Sequence, residues 1–206
     1  MTRRKKSSPA GNHRDMKIGV LALQGDFREH IRILRKLGIE ALEVRLPAEL
    51  KGLDGLIIPG GESTTMNKMM RAYGFPEEIK KFSRKGSPVF GTCAGLIVLA
   101  GKIDGRKSGQ LNLIDVEVKR NAYGRQVDSR EADVTLDFAA TEPYRAVFIR
   151  APQIRKTGPG VKSLARYEGR TVLARQKNIL ICSFHPELTE DPRIHQYFVD
   201  MIGKKA

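Results

Sequence analysis

The sequence has few cysteines and no long apolar run, and each shortage excludes a class of protein. Two cysteines in 206 residues do not form the disulfide framework of a small secreted domain, and they fit a reducing cytoplasm. No stretch approaches the roughly 20 apolar residues that a membrane helix needs. The charged N-terminus is not followed by the apolar segment of a secretory signal. We therefore expect a cytoplasmic protein with no membrane partner.

Aromatic residues are also scarce, and this bears on how the net charge is interpreted. The formal net charge of +14 could indicate a nucleic-acid partner, but aromatic residues make up only 6% of the chain. Residues 1–15 carry +4 of that charge and the rest of the chain +10. The basic residues are not interleaved with aromatic residues on which bases could stack. A solvated basic surface is favoured, and we expect no specific nucleic-acid partner.

The first 15 residues differ in composition from the rest of the chain. They are polar and basic and show no apolar periodicity, which is typical of a flexible segment. The remainder has the length of one ordinary domain. We therefore expect a flexible basic extension over residues 1–15 and one domain over residues 16–206.

The first half of the domain alternates apolar strands with amphipathic helices, which predicts a parallel sheet covered by helices on both faces. Asp26 is expected to cap the first helix through a capping box with Glu29. The predicted strands cover Lys17–Leu23, Ala41–Leu46, Leu56–Pro59 and residues 88–90, and the helices cover residues 27–37, Thr65–Tyr73, Pro76–Lys85 and Ala94–Ala100.

The second half contains strand-like runs joined by short turns, among them a predicted hairpin turn at Glu168-Gly169, and it ends in a helix over residues 192–202. The sequence thus predicts an α/β fold of three layers, with a mostly parallel central sheet, helices on both faces and added antiparallel strands. The predicted runs of the second half are Asn112–Lys119, Ala132–Leu136, Ala146–Ile149, Ser163–Tyr167, Thr171–Gln176 and Ile179–Phe184.

One segment has the pattern of a nucleophile elbow, the sharp turn from a strand into a helix that presents a reactive side chain. It is Gly91-x-Cys93-x-Gly95, between a run that ends at Phe90 and an apolar helix that begins at Ala94. Glycines flank such a turn because a Cβ would collide with the neighbouring strand or helix. The helix N-terminus favours a thiolate there. The alternative is a buried structural cysteine, because free cysteine packs as a small apolar residue.

A cysteine nucleophile needs a base, and His185 is the best candidate among the four histidines. It directly follows the apolar run Ile179–Phe184, at a strand end where α/β folds place their sites. Glu187 lies two residues further on, and in an extended segment the two side chains would point to the same side. Pro186 would stiffen that arrangement. Without the elbow, these residues would be interpreted as a turn with a chance polar pair.

The other histidines and the second cysteine are expected to have structural roles. His13 lies in the extension, and His30 and His195 stand where solvated or capping histidines are usual. Cys182 is expected in the core. A metal site at the His-Pro-Glu segment is disfavoured because no third or fourth ligand lies at a recognisable spacing.

Acyl transfer also needs donors for the oxyanion. The elbow geometry supplies the N–H of Ala94. We expect the second donor from Gly60-Gly61, since only glycine lets a backbone N–H approach a substrate so closely. The alternatives are a plain turn and a phosphate loop, and the latter is disfavoured because no Gly-Lys-Ser or Gly-Lys-Thr ending follows.

Together these motifs resemble a class I, triad-type glutamine amidotransferase, and more narrowly the glutaminase subunit family of pyridoxal 5′-phosphate synthase. Two segments separate this subfamily from other triad amidotransferases: the block from Arg120 to Ser129 and the run from Phe148 to Pro152. The resemblance extends from about Met16 to Met201. The other segments that carry it are Leu21–Asp26, Leu56–Thr65, Phe90–Leu96 and Cys182–Asp191.

The resemblance implies a role for each matching residue. Cys93 would attack the side-chain amide of glutamine, His185 would act as base and then as acid, and Glu187 would orient His185. Gly61 and Ala94 would supply the oxyanion N–H groups. For the arginines, a surface ion pair is the alternative. The residues implied to contact glutamine are Gly61, Glu62, Ser63, Arg120, Ile149 and Arg150.

The resemblance also implies the activity: hydrolysis of L-glutamine to L-glutamate and ammonia through a cysteine thioester, without a metal or other cofactor. The ammonia would pass to a partner, the lyase (synthase) subunit that builds pyridoxal 5′-phosphate, within a large hetero-oligomer. Two alternatives stay open. One is a glutaminase subunit of an imidazole-glycerol-phosphate or anthranilate synthase, and the other is a non-catalytic basic binding module.

Overall fold

The computed structural model of the protein describes residues 15–108, 110–120 and 129–203. Residues 1–14 of the expected extension, and residues 121–128 of the polar block that begins at Arg120, lie outside these ranges. No helix in the described ranges is both long and apolar enough to cross a membrane.

Within the described ranges, strands alternate with helices up to residue 99, and strands then follow one another directly until the last helix. This is the change of character that the sequence predicts at mid-chain. The strands, in chain order, are β1 (Lys17–Leu21), β2 (Glu40–Val44), β3 (Gly55–Ile58), β4 (Val89–Thr92), β5 (Ala100–Ile103), β6 (Arg106–Lys107), β7 (Ile114–Lys119), β8 (Ser129–Leu136), β9 (Ala139–Ile149), β10 (Gln153–Thr157), β11 (Lys162–Tyr167), β12 (Arg170–Gln176) and β13 (Ile179–Cys182).

The helices lie where the apolar periodicity predicts them, to within two residues at each end. They form because each sequence carries one apolar face that a sheet can cover. The helices, in chain order, are α1 (Phe27–Lys36), α2 (Ser63–Ala72), α3 (Phe75–Arg84), α4 (Ala94–Leu99) and α5 (Arg193–Gly203).

The central sheet has nine strands in the order β2-β1-β3-β4-β13-β12-β11-β8-β9. The strands from β2 to β13 are parallel, and every pairing beyond β13 is antiparallel. A second sheet has the order β10-β7-β5-β6. The predicted α/β fold is therefore confirmed, as a mixed sheet whose parallel half carries the elbow.

Two apolar cores cover opposite faces of the central sheet, because successive strand residues point to opposite sides. Ile57 of β3 belongs to the core under α1 and α5, whereas its neighbours Leu56 and Ile58 belong to the core under α2, α3 and α4. In β13, Cys182 and Ile181 divide between the two cores in the same way. The predicted three layers and the core position of Cys182 are both confirmed.

Some local predictions were wrong or incomplete. The strands β5, β6 and β10 were not predicted, because their exposed Lys and Arg residues leave no apolar alternation to recognise. Asp26 does occupy the N-cap position of α1, but its side chain makes no capping hydrogen bond. The hairpin turn at Glu168-Gly169 is confirmed, with φ of 48° and 75° at the two residues, between the antiparallel strands β11 and β12.

The elbow forms where β4 passes into α4. A Cβ on Gly91 would lie 2.6 Å from the carbonyl carbon of Gly95. A Cβ on Gly95 would overlap the carbonyl oxygen of Ile58 in the adjacent strand β3. The two glycines therefore let the chain turn tightly enough to place Cys93 at the edge of the sheet, as the sequence predicts.

We expect Gly95→Ala to lower the free energy of unfolding by about 1–3 kcal/mol, because the added methyl group meets backbone atoms that cannot move aside cheaply. Urea unfolding followed by circular dichroism measures the change. Gly203→Ala is the matched control, since a Cβ there would have no neighbour within 4 Å. Equal stability of the two variants would contradict the packing described here.

Candidate active site

A cavity of about 990 Å³ opens at the carboxyl edge of the parallel strands, where α/β folds usually bind their ligands. Cys93 enters it from the end of β4, and His185 from the segment after β13. Each residue implied to contact glutamine also lines this cavity: Gly61, Glu62, Ser63, Arg120, Ile149 and Arg150. The fold thus collects these residues from five separate stretches of sequence.

Cys93 has the strained backbone of a nucleophile elbow. Its φ of 46° and ψ of −100° are unusual for a residue with a Cβ. Its N–H donates to the carbonyl of Cys182, at an N···O distance of 2.9 Å, and its Sγ lies 3.8 Å from the carbonyl oxygen of Ile149. Ala94 begins α4, so its N–H has no acceptor within the helix. The thiol and an N–H without an acceptor in the helix therefore both belong to the start of α4.

His185 and Glu187 form the predicted pair, but not for the predicted reason. The Nδ1 atom of His185 lies 2.8 Å from Oε1 of Glu187. Residues Pro186–Leu188 form a turn of 3₁₀ helix rather than an extended segment. The tight turn folds the carboxylate back under the imidazole, with Glu187 completely buried and His185 only 4% exposed.

Asp26 is a site residue that sequence reasoning missed. Its Oδ2 lies 3.4 Å from Nδ1 of His185, so the side chain serves the imidazole instead of capping α1. The contact with His185 lowers the pKa of Asp26. Possible metal-ligand atoms of Asp26, His185 and Glu187 lie within 4.8 Å of one another. Spacing along the chain could reveal only two of these possible ligands, His185 and Glu187.

The charge state of His185 follows from its surroundings. Burial by itself would lower the pKa of the imidazole. The hydrogen bonds with Asp26, Cys93 and Glu187 outweigh burial and raise the pKa of His185 to about 12. The site therefore favours an imidazolium next to the cysteine sulfur, which is the pairing that a cysteine nucleophile requires.

The Gly60-Gly61 loop is held against this pair by its glycines. A Cβ on Gly60 would lie 2.5 Å from the ring of His185, and a Cβ on Gly61 would lie 2.6 Å from the side-chain oxygen of Gln24. Gln24 in turn accepts from the N–H of Glu62 at 3.2 Å and donates to its carbonyl at 3.3 Å. Any larger residue in this loop would push it away from the imidazole.

Glu62 lines the cavity, but its carboxylate has a structural task. It caps α2 by accepting from the N–H groups of Thr64 at 2.9 Å and Thr65 at 2.6 Å. These hydrogen bonds lower the pKa of Glu62 to about 2. The cap fixes the start of α2, and with it the end of the Gly60-Gly61 loop.

The two arginines of the cavity differ in their contacts. Arg120 donates through its Nε to Asp104 at 2.9 Å and through its backbone N–H to the same carboxylate at 3.1 Å. This is the ion pair that the sequence analysis gave as the alternative, here at the rim of the cavity. Arg150 has a φ of 44°, directly after the residue whose carbonyl faces Cys93. Asp104 was not identified from sequence, because it lies in a loop without a recognisable motif.

The two cysteines have contrasting environments. Cys182 is completely buried in the core beneath α1 and α5, and burial raises the pKa of its thiol well above the usual value. Cys93 lines the cavity at a helix N-terminus. The structural interpretation therefore fits Cys182, whereas Cys93 is the cysteine that lines the cavity.

Two histidines that were expected to be solvated or capping are instead buried, and that expectation was wrong. His30 and His195 are each 0% exposed and lie between α1, α5 and the end of β4. His30 sits on the inward face of α1, next to Ile31 and Leu34, because the helix turns it toward the sheet. The apolar periodicity around each histidine could have indicated from the sequence that both side chains are buried.

Comparisons with known proteins match most of the chain. A model of the SNO glutamine amidotransferase family matches residues 20–204. A protein of Niallia circulans named pyridoxal 5′-phosphate synthase subunit PdxT is 55% identical over 187 residues, covering 91% of this chain and 98% of that protein. The protein of the same name from Halalkalibacterium halodurans is 52% identical, covering 91% of this chain and 95% of that protein.

Solved structures agree with the fold. A structure described as a glutamine amidotransferase superimposes with a TM-score of 0.85 at 52% identity, covering 90% of this chain and 98% of that one. The structure of PurLQS from Thermotoga maritima superimposes with a TM-score of 0.71 at 17% identity, covering 92% of this chain and 96% of that one. At that identity the likeness is one of fold alone.

We expect Asp26→Asn to lower the pKa of His185, because it removes one of the two carboxylates that stabilise the imidazolium. A titration of the imidazole nitrogens by ¹⁵N NMR measures the shift. The stabilisation that His185 contributes is complete below its ordinary pKa of 6.5 and is lost as the pH rises toward about 12, so the variant should lose less stability over that interval.

Asp54→Asn is the control, since Asp54 precedes β3 at the opposite edge of the sheet and accepts from the N–H of Lys17 at 2.8 Å. An unchanged His185 titration in Asp26→Asn would show that the Asp26 contact has no electrostatic effect.

Proposed function

The chain belongs to the SNO glutamine amidotransferase family, and from that premise we propose that Cys93, His185 and Glu187 are its catalytic triad. The chain is a glutaminase subunit of pyridoxal 5′-phosphate synthase. It hydrolyses L-glutamine to L-glutamate and ammonia and delivers the ammonia to the partner synthase subunit. The lyase chemistry belongs to that partner. The named relatives support neither the imidazole-glycerol-phosphate or anthranilate alternative nor an idle binding module.

The observation that carries the triad is the convergence of three side chains at the cavity. Cys93 and His185 face the cavity, and Glu187 holds Nδ1 of His185 at 2.8 Å from behind. Nδ1 bound to a carboxylate leaves Nε2 for the sulfur. A strained elbow, a base and an orienting carboxylate are the arrangement that nucleophilic acyl transfer needs.

In the proposed reaction the sulfur of Cys93 attacks the side-chain amide carbon of glutamine, and its proton resides on His185. The N–H groups of Ala94 and Gly61 hold the oxyanion that forms. His185 then gives its proton to the departing ammonia, which leaves a γ-glutamyl thioester on Cys93. A water molecule, deprotonated by His185, attacks the thioester carbonyl and releases glutamate and the free thiol.

Recognition of glutamine is assigned to the rest of the cavity wall. A guanidinium binds an α-carboxylate through two parallel hydrogen bonds, and both Arg120 and Arg150 line the cavity. Gly61, Glu62 and Ser63 line the cavity at the start of α2, and Ile149 lines it at the end of β9. No step of this chemistry requires a metal or an organic cofactor.

We also propose the setting in which the chain works. The glutaminase domain is proposed to span residues 16–206, and the family match over residues 20–204 supports this proposal. Ammonia that escapes to water is protonated and lost, so the chain is expected to work within a large hetero-oligomer with the synthase subunit. The low cysteine content supports a cytoplasmic location.

We expect Cys93→Ala to abolish glutamate release by the complex with the synthase subunit, because the substitution removes the nucleophile and little packing. Cys182→Ala is the matched control. It should keep most of the activity and lose about 1–2 kcal/mol of stability, since it truncates a core residue. If a glutamine-analogue inactivator labels Cys182 rather than Cys93 in mass spectrometry, the nucleophile is wrongly assigned.

We expect Glu187→Gln to lower kcat more than it raises KM, because the change disturbs the orientation of His185 and leaves the cavity wall intact. Steady-state glutamine kinetics of the same complex measure both constants. Wild-type kcat in this variant would remove Glu187 from the triad.

A further inference from the structure

Behind the proposed triad lies a closed polar cluster that no step of the reaction uses. It consists of Thr92, His30 and His195 together with the second carboxylate oxygen of Glu187. All four residues are 0% exposed. Nε2 of His30 lies 3.2 Å from Oγ1 of Thr92 and 3.4 Å from Oε2 of Glu187, and Nδ1 of His30 lies 2.9 Å from Nε2 of His195.

The cluster ends in two atoms that constrain where its protons can be. Among the described residues, Oε2 of Glu187 has no ordinary hydrogen-bond partner, and neither has Nδ1 of His195. Burial lowers the pKa of His195 to about 3, and burial is also the main cause that lowers the pKa of His30 well below its usual range. Each imidazole is therefore neutral and carries one proton.

Only one arrangement of the two protons avoids a buried donor without an acceptor. If His30 carried its proton on Nδ1, His195 would have to carry its own on the partnerless Nδ1. The bare Nε2 of His30 would then accept from the hydroxyl of Thr92, and Oε2 of Glu187 would receive no N–H from His30. If His30 carries it on Nε2, that N–H has Oγ1 of Thr92 as an acceptor at 3.2 Å and Oε2 of Glu187 nearby at 3.4 Å, and His195 donates from Nε2 to the bare Nδ1 of His30. An unpaired acceptor then remains, which is less unfavourable than an unpaired donor in an apolar core.

We propose that His30 is a positioning residue for the reaction: its Nε2–H, placed between Oγ1 of Thr92 at 3.2 Å and Oε2 of Glu187 at 3.4 Å, interacts with that carboxylate oxygen and thereby fixes the carboxylate that orients His185. His195 acts indirectly, through His30: it donates its Nε2–H to Nδ1 of His30 and so fixes the tautomer of His30. The inference rests on the proposed role of Glu187. It extends the triad into the core by two histidines that come from α1 and α5, the helices that cover this face of the sheet.

Other charged or titratable groups near Glu187 do not take over this task. His185 and Asp26 both lie on the Oε1 side, since they meet at Nδ1 of His185. Tyr144 also lies near Glu187, but its hydroxyl contacts the carbonyl of Pro186 at 3.4 Å and Oγ1 of Thr189 at 2.9 Å, and burial raises the pKa of Cys182 and keeps it a neutral thiol. His30 is thus the group placed to donate to Oε2.

The tautomer assignment can be tested in the unmodified protein. In the complex with its synthase subunit, or in the chain alone, long-range ¹H–¹⁵N NMR of histidine-labelled protein should show His30 and His195 neutral, each with its proton on Nε2. A proton on Nδ1 of His30 would overturn the proposal, whatever the activity measurements give.

Kinetics test the positioning role. We expect His30→Leu to lower kcat by roughly 10- to 100-fold, the size of effect that a small displacement of a catalytic group produces, with KM changed less than about twofold. The acidic limb of kcat/KM should move to higher pH, because the carboxylate loses a donor that stabilises its charged form. His30→Gln, whose amide can donate from the same place, should recover most of both effects.

Leu34→Ala is the control for a merely structural role, since Leu34 is equally buried one turn further along the same face of α1. It should reduce thermal stability without moving the pH profile. Wild-type kcat and pH profile in folded His30→Leu would overturn the proposal while leaving Cys93→Ala inactive. Activity of Cys93→Ala would instead refute the proposed function. If His30→Leu does not fold, the NMR tautomer and His30→Gln decide.

Discussion

The carboxylate of Glu187 is completely removed from solvent, and much of the site is arranged around this one buried charge. An isolated carboxylate in an apolar interior is highly unfavourable unless it is paired and hydrogen-bonded. Here His185 meets one oxygen and His30 the other. The same contacts that stabilise the buried charge also fix the imidazole that faces Cys93. The stability of the site and its proposed chemistry therefore depend on the same interactions.

The glycines of the site allow backbone segments to approach one another more closely than a residue with a Cβ would permit. The cavity edge brings together the ends of β1, β3, β4 and β13, and backbone from each must approach its neighbours closely. Gly95 leaves room for the carbonyl of Ile58, and Gly60 leaves room for the ring of His185. A side chain at either position would displace a functional group, so the geometry depends on residues that contribute no chemistry themselves.

The predictions that succeeded were those that depended on residues close together in the sequence. The elbow spacing placed Cys93 at a strand-to-helix turn, and the His185-Pro186-Glu187 segment paired an imidazole with a carboxylate. The assumed backbone conformation was wrong: an extended segment was expected, but His185 and Glu187 meet across a 3₁₀ turn. Asp26 was interpreted as a helix cap for the same reason: its place in the sequence fits a cap, and only the approach of the segment after β13 draws its side chain to His185.

The sequence by itself determined the α/β fold, the elbow, the resemblance to glutamine amidotransferases and the residues implied to bind glutamine. Each of these depends on local periodicity, on glycine at fixed positions or on short motifs. Tertiary structure alone decided that Asp26 reaches His185, that Asp104 pairs with Arg120, and that His30 meets His195 and Glu187. The contact between His30 and His195 joins residues 165 positions apart in the chain. Such contacts are set by how helices pack on the two faces of the sheet, and no spacing along the chain encodes that distance.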